Sequence, residues 1–548
     1  GSISGTGGLA MSADSKGSSL TLYGANDYSG ATNILAGTLI QGAKGGFSSA
    51  STFNVSNDAG LQLGGFDTNM ASLTNHGTVR FGGQGGTTLT IAGNYVSSGG
   101  TIVMTSNLDG DDSKTDMLKV TGDTEGDTTL QIVNRGGFGG PTVNGIKVVD
   151  VGGQSNGDFK LKGDYVTKDG QQAIMTSSAF AYTLQKNSVA DPNGGNWYLV
   201  SQNTQPKSDT SDPGSNPGRF SAAAPIYQAY ANSMQVLNRL PTLQQRVGDR
   251  YFDDVSAIVR LAGEGGEPAT VANWARIDGA HDRLHSVTTT GPLTQGINTF
   301  LLQTGIDGEF YEDANGRLIG GLTGQYGQSK SQVSNYDGDG TVDTQGWGFG
   351  GTLTWYDNDG FYADGQALIS SYSTDLNSDT LGTQLSSGNK GIGYAASVEV
   401  GQRYILDDNW SVTPQAQLSW SSVRFDDFSD IYGASISDKG RDSLIGRFGF
   451  AARYSDNWQG SDGRTVEANV YTSANFYQEF LGGTRIDYAG TLLDNTTDNL
   501  WAGMGVGGSY RWADKKYTIY GEGTMNTSIN HVGESYSFKT TVGFQVKL

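Results

Sequence analysis

The sequence predicts an all-β molecule in two parts: a parallel β-helix, then a twelve-stranded antiparallel transmembrane β-barrel with an α-helix in its lumen. Three observations predict it. The 548 residues include 83 glycines and only ten prolines. The first 200 residues are short Val/Ile/Leu/Thr segments cut by Gly, Asn and Asp turns. The last 298 alternate chemically at every second position over runs of ten or more, which is the period of a β-strand.

Composition removes several alternatives. With 35 basic against 55 acidic residues the chain carries −20 at pH 7, so its field opposes nucleic acid, and no such partner is expected. No apolar run exceeds four residues, as in Trp197-Tyr-Leu-Val200, where a membrane-spanning helix needs about 20. Cysteine is absent and histidine occurs four times, at 76, 281, 285 and 531, which leaves little for thiolate, metal or imidazole chemistry. No cofactor, metal site or catalytic group is expected. The chain starts at Gly1 without a signal peptide, which reads as a processed product or a fragment.

In the first part, Leu20–Tyr23, Gly37–Ile40, Phe53–Val55, Leu61–Leu63, Thr78–Phe81, Leu89–Ile91 and Thr101–Met104 recur about every 14 residues. Strands of three to five residues with glycine corners suit rungs that bury, by stacking, what one rung cannot. A β-sandwich would instead need Asn-Gly or Asp-Gly hairpins every 8 to 12 residues or so, and these are sparse. Ser201–Gly218, with three prolines and no aromatic residue, reads as a linker.

Ala222–Arg239 is the one strong helix signal, with Ser221 as N-cap, Pro225 in the first turn and a stop at Pro241. Tyr227, Tyr230, Met234 and Leu237 share a face. From Pro225 to Arg239 is roughly 22 Å at helical rise, near a bilayer's apolar thickness. Gln228, Asn232, Gln235 and Asn238 would not tolerate lipid, so the rod is expected inside an aqueous pore. Arg239 and Arg246 are expected to seat it against luminal carboxylates such as Glu399 or Glu467.

In the last part, Trp347, Phe349, Leu353 and Trp355 alternate with Gly346, Gly348, Gly350 and Thr352, and Trp410 to Trp420 alternates likewise. Eight strand steps at a tilt near 40° rise roughly 20 Å, and ten rise about 25 Å. Those heights fit two aromatic girdles, placed at Trp347, Trp355, Trp410 and Trp420. The opposite faces carry Glu309, Asp364, Glu399, Arg447, Arg453 and Glu467, suited to a wet lumen. Twelve such segments lie between 271 and 548. Long connections at 330–340, 374–390 and 426–442 alternate with short turns at 358–360, 407–409 and 514–516, the pattern of external loops and periplasmic turns.

The residues Leu22–Leu39 resemble the passenger-associated repeat of the classical (type V) autotransporters. Asp116–Gly122, Thr129–Asn134 and Asn196–Leu199 are similar to the pertactin-like junction that caps the passenger, and Trp274-Ala-Arg276 and Leu240–Arg246 to the family's barrel entry. The resemblance implies passenger rungs over 1–105, an autochaperone-like junction over 106–200, a linker over 201–221, a luminal helix over 222–250 and a translocator barrel over 251–548. It further implies a Gram-negative outer membrane with lipopolysaccharide around the barrel, insertion by the Bam machinery with periplasmic chaperones, a monomer, and a surface-exposed passenger serving as an adhesin toward host-cell ligands rather than an enzyme. The C-terminal insertion signal would comprise Phe538, Val542, Phe544, Val546 and Leu548, with Phe544 taking the aromatic role. The relatives' Asn-Asn cleavage pair is missing between Arg219 and Arg250. The alternatives are an exported hydrolase with its catalytic head upstream of Gly1, and a pore of another kind.

Other motifs carry less. Gly153-Gln-Ser-Asn-Gly157 matches a nucleophile elbow but precedes no helix and reads as a rung corner. Gly503, Gly505 and Gly508 fit a dinucleotide pattern but sit on a barrel strand, where they let backbones or the luminal helix approach. Asp337–Asp343 resembles a calcium loop without its terminal Glu.

Overall fold

The computed structural model describes residues 1–13, 17–202, 218–248, 272–313, 315–440 and 442–547. Its contacts divide the chain into a unit built chiefly from Gly1–Ala222 and a second comprising Ala223–Ile431 and Ser435–Leu548.

The first unit is a parallel coil of short strands. In one wall Thr32 lies beside Phe53, Phe53 beside Leu73 and Leu73 beside Tyr95, steps of 21, 20 and 22 residues. A second wall stacks Leu39, Leu61, Val79 and Ile102, and a third stacks Met70, Ile91 and Val120. A turn of the coil therefore takes about 21 residues over three walls; the spacing of about 14 expected from sequence is neither a turn nor a wall, because that count leaves out the strands Thr32–Ile34, Thr68–Met70 and Ser72–Asn75. Alternation puts one set of side chains inward, so Ile34, Leu39, Phe53, Val55, Leu61 and Leu73 are all fully buried, each contributing about 1.5–3 kcal/mol.

Parallel stacking does not stop at residue 105. Thr124–Asn134 lies along Tyr95–Ser106, and Asp158–Leu161 along Thr124–Asn134. Beyond Leu161 the pairing turns antiparallel: Gln172–Met175, Ala181–Lys186 and Trp197–Val200 form a meander that joins Ile146–Val151. The change of pairing, not residue 105, marks the end of the coil.

Most of the expected linker, 203–217, lies outside the described residues, but its C-terminal end is fixed within this unit. Arg219 is buried and pairs with Asp169 at 2.9 Å, and Phe220 stacks on Phe180 at 5.5 Å. Burial opposes ionisation of Asp169, yet the Arg219 guanidinium and the Thr167 hydroxyl hold its carboxyl below the usual range. Ser155, in the elbow-like motif, sits at a corner and donates to the Gly195 carbonyl at 2.7 Å.

In the second unit, among the described residues, twelve long strands close antiparallel into a cylinder: β1 (Ala272–Thr288), β2 (Gly291–Glu312), β3 (Gly316–Asn335), β4 (Asp339–Asp357), β5 (Phe361–Ser378), β6 (Thr383–Gln402), β7 (Trp410–Phe425), β8 (Ser443–Gln459), β9 (Thr465–Glu479), β10 (Leu500–Trp512), β11 (Tyr517–Ser528) and β12 (Tyr536–Lys547). Strands β1 and β12 pair from Ala272–Lys547 to Arg283–Tyr536 and remove the last free edge. The strands outrun the sequence expectation. Most of 330–340 and 374–390, expected as loops, is ladder in β3–β6, because polar alternation continues past the apolar band. The segment 426–442 adds the short strands Phe428–Ser429 and Ser435–Asp438, and the hairpin Thr484–Thr497 lies between β9 and β10.

Candidate functional site: the barrel lumen

Two helices occupy the second unit: α1 (Ala224–Gln235), extended by a tight turn over Val236–Asn238, and α2 (Leu243–Val247). The single rod expected from sequence is broken. Arg239 takes an extended backbone with ψ 131°, because Pro241 cannot continue a helix and disfavours helical geometry before it. The N-cap is Ala223 rather than Ser221, without a side-chain cap bond. Helix α2 restarts on a capping box in which Thr242 and Gln245 bond reciprocally.

All of Ala224–Met234 is buried, on every side and not only on the Tyr227–Tyr230–Met234–Leu237 face. A helix enclosed by a cylinder has no solvent face, so its polar side chains bond to the wall. Gln228 donates to the Asp494 carbonyl at 2.9 Å and accepts from Thr290 at 2.6 Å. Asn232 donates to Gln295 at 3.1 Å, and Gln295 in turn donates to the Ala229 carbonyl at 3.1 Å. Asn238 bonds Ser421, Tyr372 and the Tyr394 carbonyl at 2.9–3.1 Å. Glycines give the rod its clearance: a Cβ at Gly391 would stand 2.7 Å from Met234 Sδ, and one at Gly327 3.0 Å from a Leu237 methyl. Gly503, Gly505 and Gly508 instead face Asn526, Ser473 and the Asn469 carbonyl, so they relieve neighbouring strands and not the helix.

The rod runs from one end of the cylinder to the other. At its start, Tyr227 bonds Asp430 at 2.9 Å and meets the Tyr488 ring at 5.0 Å, while Tyr230 stacks on Phe425 at 4.4 Å. These partners sit at the long-connection end, where inward-folded segments close over α1. At its finish, Arg246 bonds Asp364 and Thr354, both beside the short turn between β4 and β5. Tyr520 donates to the Arg246 carbonyl at 2.5 Å, and Gln245 to Glu522 at 3.0 Å.

Both arginines meet carboxylates, though not those expected. Arg246 and Asp364 are 2% and 0% exposed, a charge pair sealed from water. Arg239 reaches Asp282 at 3.1 Å and stays 46% exposed, so its bond is the weaker. Glu399 instead accepts from Leu243 N–H at 3.1 Å and Tyr362 at 2.7 Å and pairs with Arg447 at 3.2 Å. Glu467 pairs with Arg511 and Lys515, both at 3.2 Å. Asp282 and Gln295 are partners that the sequence reading does not name, though both stand on the inward parity of their strands.

The other expected residues face outward. Trp347 and Trp410 are 63% and 47% exposed, while Trp355 and Trp420 are half-buried. Trp347 packs on Tyr326 at 4.6 Å, Trp410 on Tyr454 at 5.4 Å, and Trp420 donates to Asp442 at 3.4 Å. Phe538, Val542 and Phe544 point out of the wall, with half-buried Val546 continuing that parity; Phe544 lies 6.4 and 6.5 Å from the Trp512 and Tyr517 rings. Leu548 lies outside the described residues. No group of three or more metal-ligating side chains occurs among the described residues.

Residues 273–524 match the family model described as "Autotransporter beta-domain", and 68–170 match "Autochaperone Domain Type 1", which begins well before residue 106. The chain is 39% identical over 522 residues to the Adhesin BmaC autotransporter of Brucella suis, covering 95% of this chain and 15% of that protein. It is 30% identical to the uncharacterized protein YdeU of Escherichia coli, covering 72% of this chain and 85% of that one. The crystal structure of the transport unit of AIDA-I from Escherichia coli aligns with a TM-score of 0.46 at 17% identity, covering 59% of this chain and 99% of that one.

Proposed function

The chain belongs to the autotransporter family, and on that premise we propose that its barrel carries its own N-terminal β-helix across the outer membrane and displays it as an adhesive surface module. The carrying observation is the course of α1 and α2. The chain enters the lumen at the long-connection end at Ala223 and reaches the short turn between β4 and β5 at Arg246, the course that a segment drawn through the barrel would leave behind. Folding of the β-helix there, where no ATP is available, biases transit by blocking return. Absence of cysteine keeps any disulfide from closing the passenger early. BmaC, by its name an adhesin, supports an adhesive passenger rather than an enzymatic one. Insertion by the Bam machinery with periplasmic chaperones, and a host-surface ligand, belong to the same proposal.

Protease shaving of intact cells is the test. Residues 1–200 should be lost from whole cells while the barrel stays protected. A β-helix digested only after the outer membrane is opened would refute the reading.

A further inference from the structure

The lumen wall meets the enclosed chain by its main chain as well as by its side chains. The carbonyls of Ala229, Ser233, Leu237 and Pro241, four residues apart, accept from Gln295 at 3.1 Å, Ser329 at 2.8 Å, Gln325 at 3.4 Å and Gln366 at 2.9 Å. Contacts of that kind ignore side-chain identity. Three of them converge on the unwound stretch between α1 and α2, where Arg239 and Thr242 are extended with ψ 131° and 162°. Gln417 joins Gln366 on the Pro241 carbonyl at 3.3 Å, and Glu399 accepts the Leu243 N–H at 3.1 Å. In an extended chain the carbonyl of one residue and the N–H two residues on point to the same side. Positions 241 and 243 therefore present the repeating edge of a strand, which a helix interior hides by bonding both groups to itself.

The wall is organised for such an edge. Asp364, Glu399, Gln417 and Arg447 stand opposite one another in register across β5–β8, all buried. Gln366, two residues from Asp364, also donates to that carboxylate at 3.0 Å, and Arg447 Nε holds Gln417 Oε1 at 3.2 Å. Both amides are thus oriented with nitrogen toward the lumen, and Glu399 supplies the acceptor between them.

We propose that Gln366, Glu399 and Gln417 form a main-chain-binding station for the passenger in transit. An extended segment drawn through the lumen docks there by a carbonyl and the N–H two residues on, in any two-residue register and whatever its sequence. The proposal rests on the reading that the barrel carries its own passenger, and it names what the lumen recognises in that cargo. Amides of an extended chain lose water against the wall, and leaving them unmet is costly. The station supplies their partners and so speeds passage; 241–243 is the segment left docked when transit ends.

The test expresses the full chain in Gram-negative cells and pulse-labels it. The half-time for residues 1–200 to become protease-accessible on intact cells is measured at equal amounts of SDS-resistant barrel. Q366M/Q417M keeps side-chain length, removes both donors and should lengthen the half-time roughly fivefold. If the double variant loses SDS resistance, each single variant decides, with an expected lengthening of about twofold. A mere seat for the finished plug would behave otherwise: conductance of the purified variant would rise while the half-time stayed at the wild-type value, and that result would overturn the station. A wild-type passenger that never becomes accessible is a different failure, which refutes transit itself.

Discussion

The β-helix and the barrel use one grammar with opposite signs. In both, side chains alternate across a strand. In Thr52–Val55 the apolar set, Phe53 and Val55, points into a dry core; in β4 the apolar set, Trp347, Phe349 and Leu353, points out, and the small or polar set points in. The difference teaches that alternation alone fixes a strand but not which face meets water. Segment length decides that: three- to five-residue runs cannot span a bilayer, whereas ten or more tilted residues can.

Substitutions that reverse this sign separate the two regions. Leu61→Asp places a carboxylate in the β-helix core and should cost about 4–5 kcal/mol or abolish folding of residues 1–200, read by urea denaturation. Arg246→Gln leaves Asp364 buried without its cation and should cost about 3–5 kcal/mol of barrel stability, with raised single-channel conductance as the rod loosens. Leu353→Arg on the lipid face should cost about 2–4 kcal/mol in bilayers, a penalty a detergent-free aqueous barrel would not pay.

Smaller effects sharpen the comparison. Asp169→Asn should cost about 1.5–3 kcal/mol in the first unit by removing the partner of buried Arg219. Because the folded carboxyl titrates below its unfolded value, its contribution is complete above the ordinary carboxylate range and is lost as pH falls through the folded value. The thermal midpoint of wild type and Asp169→Asn should therefore converge in acid. Arg239→Gln, which removes a half-exposed cation from buried Asp282, should cost less than Arg246→Gln, about 1–3 kcal/mol, and leave conductance near the wild-type level.

Much of this was legible in residue order. The twelve barrel strands and the enclosed helix follow from period and parity. Three features were not. The turn of the coil takes about 21 residues because pairing in a β-helix joins every third segment or so, and nothing local to Thr32 or Leu39 shows that Phe53 and Leu61 will lie beside them. The break at Arg239 follows from Pro241, which acts as a hinge and not as the stop the sequence predicts, since a helix restarts at Leu243. The partners of Arg239 and Arg246 depend on how far the helix descends, which sets Asp282 and Asp364 against them in place of Glu467 and Glu399. Charge inversion announces that carboxylates will be found and says nothing of which.

The central claim is that α1 lies inside the closed cylinder. The chain has no cysteine, so a pair can be introduced without background. Met234→Cys with Gly391→Cys, positions that meet inside the lumen, where a Cβ at Gly391 would stand 2.7 Å from Met234 Sδ, should be joined in the folded protein by a short bifunctional thiol reagent. Met234→Cys with the outward-facing Val398→Cys should not. Failure of the first pair to link in a barrel that still resists SDS, or equal linking of both pairs, would contradict it.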